Sequence, residues 1–301
     1  MDPLRKRLAI GVWLLGLLAT VFAPCPQVLA ANPMKVSQEL DVDYGYVGGA
    51  ATRGAGGNIG EIDEHSADVK YVISPQVTQD LLLRFGAEWQ RFSFGVPDHA
   101  PVPDVLQQTS LVLGFDYQLA DQWLMRAEVQ PGVYSDFRDV TWDDVDVPLV
   151  LGAAYLANED LQWFLGLRVD VRSQYPILPA IGVRWKFKDE WTLNFQLPKP
   201  RLEYDVNDNL QLYFGADLQG GTFRIGEHFG SSRGQPKLDN EVVDFFEVRI
   251  GPGCSWKITP SLTVEANVGY MPYRSFNFFD PNIEFRSHNA PYGQIACHAR
   301  F

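Results

Sequence analysis

Charged side chains in this chain recur at every second position of otherwise apolar runs. Arg84 and Glu88, Asp116, Arg126 and Glu128, Arg168, Asp170 and Arg172 follow this rule. So do Arg184 and Lys186, Glu203 and Asp205, Asp217, Glu247 and Arg249, and Glu265. Side chains two apart on a strand share one face, so these residues would form one polar surface. Two chemistries suit it. One is a water-filled conduit, with Arg168, Arg172, Arg184 and Lys186 as a basic wall and Glu203 with Asp205 as an acidic one. The other is an interior braced shut by ion pairs.

Other reactive residues are sparse. Asp136, Asp139, Asp143, Asp144 and Asp146 crowd one loop. Oxygen ligands at that density could take Ca²⁺ or Mg²⁺, but their spacing departs from the calcium-loop pattern, so a solvated loop is expected. His65, His99, His228, His288 and His298 lack metal-ligand spacing with a second histidine or a cysteine. His65-Ser66 and His288-Asn289 are neighbours in sequence, and adjacent strand residues point to opposite faces. Neither pair is a ready dyad, so hydrolysis is the weakest reading, no catalytic or metal residue is assigned, and no cofactor is expected. A formal net charge of −12 argues against nucleic acid, whose phosphates require a basic partner.

The elements that must carry the polar face are strands. Between Ile181 and Leu218, Ile181, Val183, Trp185 and Phe187 alternate with Gly182, Arg184 and Lys186. After Lys188-Asp189-Glu190 the run resumes with Trp191, Leu193, Phe195 and Leu197. Pro198-Lys199-Pro200 turns the chain, Leu202, Tyr204 and Val206 return, and Asn207-Asp208-Asn209 turns it again before Leu210. A period of two separated by tight polar turns predicts antiparallel neighbours.

The same pattern continues on both sides, from Val36–Tyr46 to Tyr292–Phe301. It gives an all-β chain of fourteen strands, with twelve or sixteen as the neighbouring counts because the second, fifth and tenth strands are weakly patterned. Connections at 74–80, 120–122, 157–160, 188–190, 207–209 and 257–261 are short. Those at 47–64, 95–107, 135–147, 224–241 and 271–290 are long, with 173–179 and 198–200 as shorter exceptions. Sorting of this kind predicts a single closed antiparallel transmembrane β-barrel, with tight periplasmic turns and long outer loops. Trp123, Trp163 and Trp191 just past short turns fit an interfacial aromatic girdle. Pro131 predicts an end or bend in the fifth strand, and Pro252-Gly253 a bulge. Cys254 and Cys297, separated by one strand in this register, are expected as free thiols facing lipid.

Residues 1–30 read as a secretory signal. Arg5, Lys6 and Arg7 precede an apolar run, and small residues lead up to Ala30. Pro24 before Cys25 argues against a lipoprotein. Residues 31–301 form the barrel, placed in a bacterial outer membrane.

Two stretches carry a resemblance. The strand ending Ala299-Arg300-Phe301 resembles the carboxy-terminal assembly signal of bacterial outer-membrane barrels. Pro198 to Ile225, PKPRLEYDVNDNLQLYFGADLQGGTFRI, looks like a family of such barrels with unknown function. The resemblance implies outer-membrane lipids and the barrel-assembly machinery as partners, Phe301 as the signal, and no catalytic residue. The expected function is a porin-like passive channel for small polar solutes. The alternative is a structural or surface-binding barrel with a closed lumen and the loops 47–64 and 224–241 as contact surface.

Overall fold

The computed structural model describes Val36–Phe301, so the expected signal segment lies outside the described residues. Seventeen hydrogen-bonded segments make one sheet, antiparallel apart from a single parallel bridge at Ser135↔Arg224. Three pairs of segments are single strands interrupted in mid-course, which leaves fourteen strands in the wall. In chain order these are β1 (Val36–Gly54), β2 (Gly57–Pro75), β3 (Leu81–Gly95) and β4 (Val105–Ala120). Next are β5 (Trp123–Val129, continued by Gly132–Ser135) and β6 (Val145–Asp146, continued by Leu149–Leu156). Then come β7 (Leu161–Val169), β8 (Ile177–Lys188), β9 (Trp191–Phe195) and β10 (Arg201–Asn207). The last are β11 (Leu210–Arg224), β12 (Val242–Thr259), β13 (Leu262–Phe278) and β14 (Ile283–His288, continued by Ala290–Arg300). β14 pairs with β1 from Glu39↔Arg300 to Val47↔Tyr292, and the barrel closes. Among the described residues no helix is long and apolar enough to cross a membrane, which says nothing of crossing by strands.

The outer face follows from the alternation. Phe85, Leu113, Phe115, Trp163, Leu165, Ile181, Trp185, Phe195, Phe214 and Ile295 are exposed, while the charged residues between them turn inward. Water does not reward so much exposed apolar area.

Wall height is uneven. β1 and β2 have 19 residues each and β12 has 18, whereas β9 has 5 and β10 has 7. The upper segment of β5 pairs with β4 and, through Ser135↔Arg224, touches the top of β11. The long-loop end therefore closes a second time, as a narrower ring of nine strands running from β11 through β14 and β1 to β5. Strands β6 to β10 form a lower flap beside it, joined to its ladder at the ring's level only where Val145 and Asp146 of β6 pair with Val133 and Gly132 of β5.

Several expected loops are strand. The stretch 47–64 is a hairpin, with Ala50↔Ile62, Ala51↔Glu61 and Thr52↔Gly60 in register. Its glycines suggested a loop, and Gly56 does sit in the hairpin turn, but Gly54 and Gly60 answer to packing. A Cβ on Gly54 would lie 2.7 Å from the Phe285 ring, and one on Gly60 would lie 2.6 Å from Pro97. Likewise 271–290 is mostly strand, running to Phe278 and resuming at Ile283. Strand five does break at Pro131, between Val129 and Gly132. The bulge expected at Pro252-Gly253 is elsewhere. The register shift lies between Val248 and Ile250, opposite Met271-Pro272 of β13. At Gly251 and Pro252 the ladder to β13 lapses without a shift, while pairing to β11 continues through Phe214↔Pro252. The missing amide thus turns to the side where no bond is made.

Cys254 and Cys297 are free, and β13 lies between their strands through Cys254↔Ala266 and Val264↔Cys297. Two strand spacings are roughly 9.6 Å, beyond the approximately 7 Å reach of a disulfide. Gel mobility of the folded protein should be unchanged by reductant, and a shift would contradict this strand order.

Candidate functional site: the barrel interior

The interior is built in two storeys. The lower one is charged. Arg84, Glu88, Asp116, Glu128, Glu203 and Asp217 are buried, and Arg126, Asp205 and Glu265 half-buried, each opposite the exposed apolar face. Arg84 bridges Glu39, Asp116 and Glu128 on three different strands, at 3.3, 3.7 and 3.4 Å. Arg126 grips both oxygens of Asp116, at 2.6 and 2.8 Å. Lys70 reaches Glu88 and Glu128. Arg201 holds Glu265 with two nitrogens and lies over the Tyr213 ring. Lys199 lies between Asp43 and Asp217, and Gln294 donates to the same two carboxylates.

Above these sits a quartet with no exposed surface. Arg249 of β12 and Arg274 of β13 share Glu64 of β2 at 2.7 Å each, and both also hold Glu247. Two carboxylates face two guanidiniums across the interior, so no charge is left without a counterion, the condition under which buried charge is tolerated. The approach needs Gly45, because a Cβ there would lie 2.5 Å from Arg249 Nη1.

The upper storey, inside the nine-strand ring, is apolar. Phe92, Phe94, Leu106, Tyr134, Phe223, Phe245, Phe276, Phe278 and Phe285 form one buried cluster with Phe229 and Leu238 from the loop 225–241. Ring centroids of Phe92–Phe245 and Phe94–Phe276 are 4.7 and 4.9 Å apart, within the range of favourable aromatic pairs. Arg233 ties the loop down by donating to the Val102 carbonyl at 3.0 Å and to Asp104 at 2.6 Å. Asp136 accepts from the amides of Gly226 and Arg138, yet burial keeps its carboxyl above the ordinary carboxylate range. Hydrogen bonds from the Ser231 hydroxyl and amide lower that of Asp239. The long-loop mouth is thus stoppered by phenylalanine.

The expected basic wall is only partly assembled. Arg168 is buried on β7, and Arg184 and Lys186 are half-buried on β8. Arg172 is not on a strand at all. It lies in the loop 170–176, and its guanidinium meets the Asp143 carbonyl. Asp170 is in the same loop, beside Arg168 at 3.4 Å. Glu203 and Asp205 accept from Asn194 and Gln211. Sequence reasoning missed Glu64 and Arg274 because both fell in expected loops. Glu39, Asp41 and Asp43 were legible in the first strand's alternation. The acidic loop is not simply solvated as expected: Asp136, Asp144 and Asp146 are buried, each accepting from a nearby backbone amide, and no cluster of metal-ligating type occurs among the described residues. His65, His288 and His298 meet the Tyr44 hydroxyl, the Pro272 carbonyl and Asp41.

The profile of a family described as Domain of unknown function (DUF6268) matches residues 78–296. No curated protein matches the chain. Among solved structures, the chain is similar to a COG4313 outer membrane channel from Pseudomonas putida F1, with TM-score 0.49 and 11% identity over 93% of this chain and 100% of that one. It is also similar to the KdgM porin, with TM-score 0.36 and 9% identity over 87% and 99% of the two chains. A toluene transporter, TbuX of Ralstonia pickettii, gives TM-score 0.36 and 11% identity over 90% of each.

Removing one guanidinium from the quartet should expose its importance. Arg249→Met leaves Glu64 and Glu247 buried with one cation between them, a loss of about 3–5 kcal/mol. Denaturant unfolding in detergent reads this. The double variant Arg249→Met with Glu64→Gln should recover part of the loss, and a wild-type midpoint for the single variant would contradict the quartet.

Proposed function

Because the chain belongs to the DUF6268 family, a family of unknown function, its activity must come from its own geometry, and we propose that it is a bacterial outer-membrane channel, held shut in this conformation, for small solutes that cross a polar lumen. The observation that carries the reading is the inversion of the wall: apolar outside, charged inside, closed around a ring. An apolar exterior suits a hydrocarbon solvent, in which only helices or closed barrels satisfy every backbone group. Fourteen strands enclose more lumen than side chains alone fill, so the deep charged storey reads as a conduit narrowed by its own ion pairs. Small polar solutes are the class that this storey favours.

The second reading is a structural or surface-binding barrel. The wholly unexposed quartet Glu64–Arg249–Glu247–Arg274 favours it, because such a brace leaves no path through that quarter of the interior. On either reading residues 1–30 are an export signal, outer-membrane lipids are the solvent, and the barrel-assembly machinery is the partner that inserts the chain.

Conductance in a planar bilayer separates the two. The channel reading expects small, infrequent steps from the intact protein. It expects steps several-fold larger once residues 227–239 are replaced by a short Gly-Ser linker, which removes Phe229 and Leu238 from the mouth. Silence from both proteins at high load would leave the structural reading.

Phe301 gives an independent check on location. Its amide and carbonyl pair with Gln38 at 2.9 and 3.0 Å, and its ring is exposed. As an interfacial ring alone, Phe301 would contribute only about 1–3 kcal/mol. As an assembly signal, its deletion should deplete the outer membrane while refolding in detergent persists. Normal insertion of the truncated chain in cells would contradict the signal.

A further inference from the structure

The phenylalanine stopper blocks the axial exit, so a solute leaving sideways would need a weaker place in the wall itself. It has one, where the flap meets the ring. The β9–β10 hairpin is short. Its turn, 196–200, bonds to β11 only through Ala216 N–H to the Pro200 carbonyl and Leu218 N–H to the Pro198 carbonyl. Above that level β8 pairs only with β7, and β11 only with β12 until it reaches Ser135. No backbone ladder joins the upper half of β8 to β11 among the described residues. Instead the flap lies over the outward face of the ring. Val150 of β6, Ala180 of β8 and Leu197 pack against Leu218 of β11 and Phe246 of β12. A polar latch closes the top of the overlap: Asp244 accepts from the Gln174 amide at 3.0 Å and the Ser173 hydroxyl at 3.3 Å, and Asn277 donates to Gln174 at 2.8 Å. Opening the wall anywhere else breaks ladder hydrogen bonds. Opening this seam breaks no ladder hydrogen bond, only apolar contacts and the latch at Ser173 and Gln174.

The seam also holds an unsatisfied group. Arg168 is 7% exposed, and its Nε is buried without a hydrogen-bond partner. Register puts it between Val150 and the buried Leu178. Among the described residues its only carboxylate contact is Asp170 at 3.4 Å. An unpaired buried donor is costly and is the feature a ligand oxygen would satisfy. The surroundings limit the ligand's charge. Asp146, Asp170 and Asp244 are all buried at the latch end, and Arg168 and Arg172 stand among them. An anion would meet the aspartates and a cation the arginines.

We propose that the seam between the β6–β8 flap and β11–β12 is a lateral binding and exit site for small uncharged amphiphiles, with the apolar body between Val150, Ala180, Leu218 and Phe246 and an acceptor oxygen on Arg168 Nε. This rests on the channel reading for its supply of solute from the lumen, and it refines the solute class at the exit. Flap strands stay apolar on their outward face up to Ile177 and Pro179, both exposed, so the seam opens toward the outer leaflet rather than to water.

Benzophenone, uncharged and photoreactive, with one carbonyl oxygen, is a suitable probe. In a Cys254→Ser, Cys297→Ser background, Gln174→Cys and Asn277→Cys would be joined across the latch by a cleavable bismaleimide. Irradiation of the unlocked protein with benzophenone should give adducts on the peptides holding 149–156, 177–182 and 244–248. Locking should cut these adducts at least five-fold, cleavage of the linker should restore them, and Arg168→Met should lower them without the lock. Adducts on those peptides that ignore both the lock and Arg168 would overturn the proposal. Bilayer conductance of the same unlocked protein is read in parallel. Silence there with lock-dependent adducts removes the channel reading and leaves the binding site standing, whereas conductance with lock-indifferent adducts removes the lateral exit alone.

Discussion

Every strand in this protein must spend its backbone bonds on two neighbours, and that constraint shapes all else. A sheet with no edge must close, and closure divides the side chains into an inner and an outer set. What is unusual is that this wall closes twice. All fourteen strands close at the short-turn end, and nine close again above, where Ser135 meets Arg224. Among the strands left out of the upper ring, the top of β8 has no ladder partner on its β11 side, so apolar contacts and the Gln174 latch hold the flap down there.

The two storeys follow from the two closures. Below, the wide ring leaves charged residues to find partners across strands, as Arg84 does with Glu39 and Glu128. Above, the narrow ring brings opposite walls close enough for phenylalanine side chains to meet and exclude water. The quartet of Glu64, Glu247, Arg249 and Arg274 lies at the boundary. It is tolerated because each carboxylate faces two guanidiniums and because Gly45 leaves room for Arg249.

Much of the barrel was legible from alternation alone, since the period of two survives at nearly every wall position. The turns at 121–122 and 189–190 announced themselves through Asp121-Gln122 and Asp189-Glu190. The missed strands flank two connections. At 47–64 glycine suggested a loop where Gly54 packs against Phe285 in paired strand, and at 271–290 the expected loop spreads a turn confined to 279–282 over both flanking strands. Misplacing those strands hid Glu64 and Arg274, and with them the quartet. Arg172 failed differently. Alternation ran on through Val171, but the strand ends at Val169 and Asp170 folds back to accept from the Arg172 amide. Overlap of flap and ring had no signal in the sequence, because it arises from unequal strand lengths rather than from any local pattern.

The double closure is tested most directly by single cysteines along β3, from Leu81 to Gly95, in the cysteine-free background. Intact cells would be treated from outside with a membrane-impermeant maleimide. The account predicts labelling at Arg91 and Ser93, which face outward above the apolar belt. It predicts protection at Phe92 and Phe94 inside the stoppered ring, and at Leu83, Phe85 and Ala87 within the belt. Strong labelling at Phe92 and Phe94 would mean an open mouth, and labelling at Phe85 would mean that no membrane surrounds the wall. Either result would contradict the account.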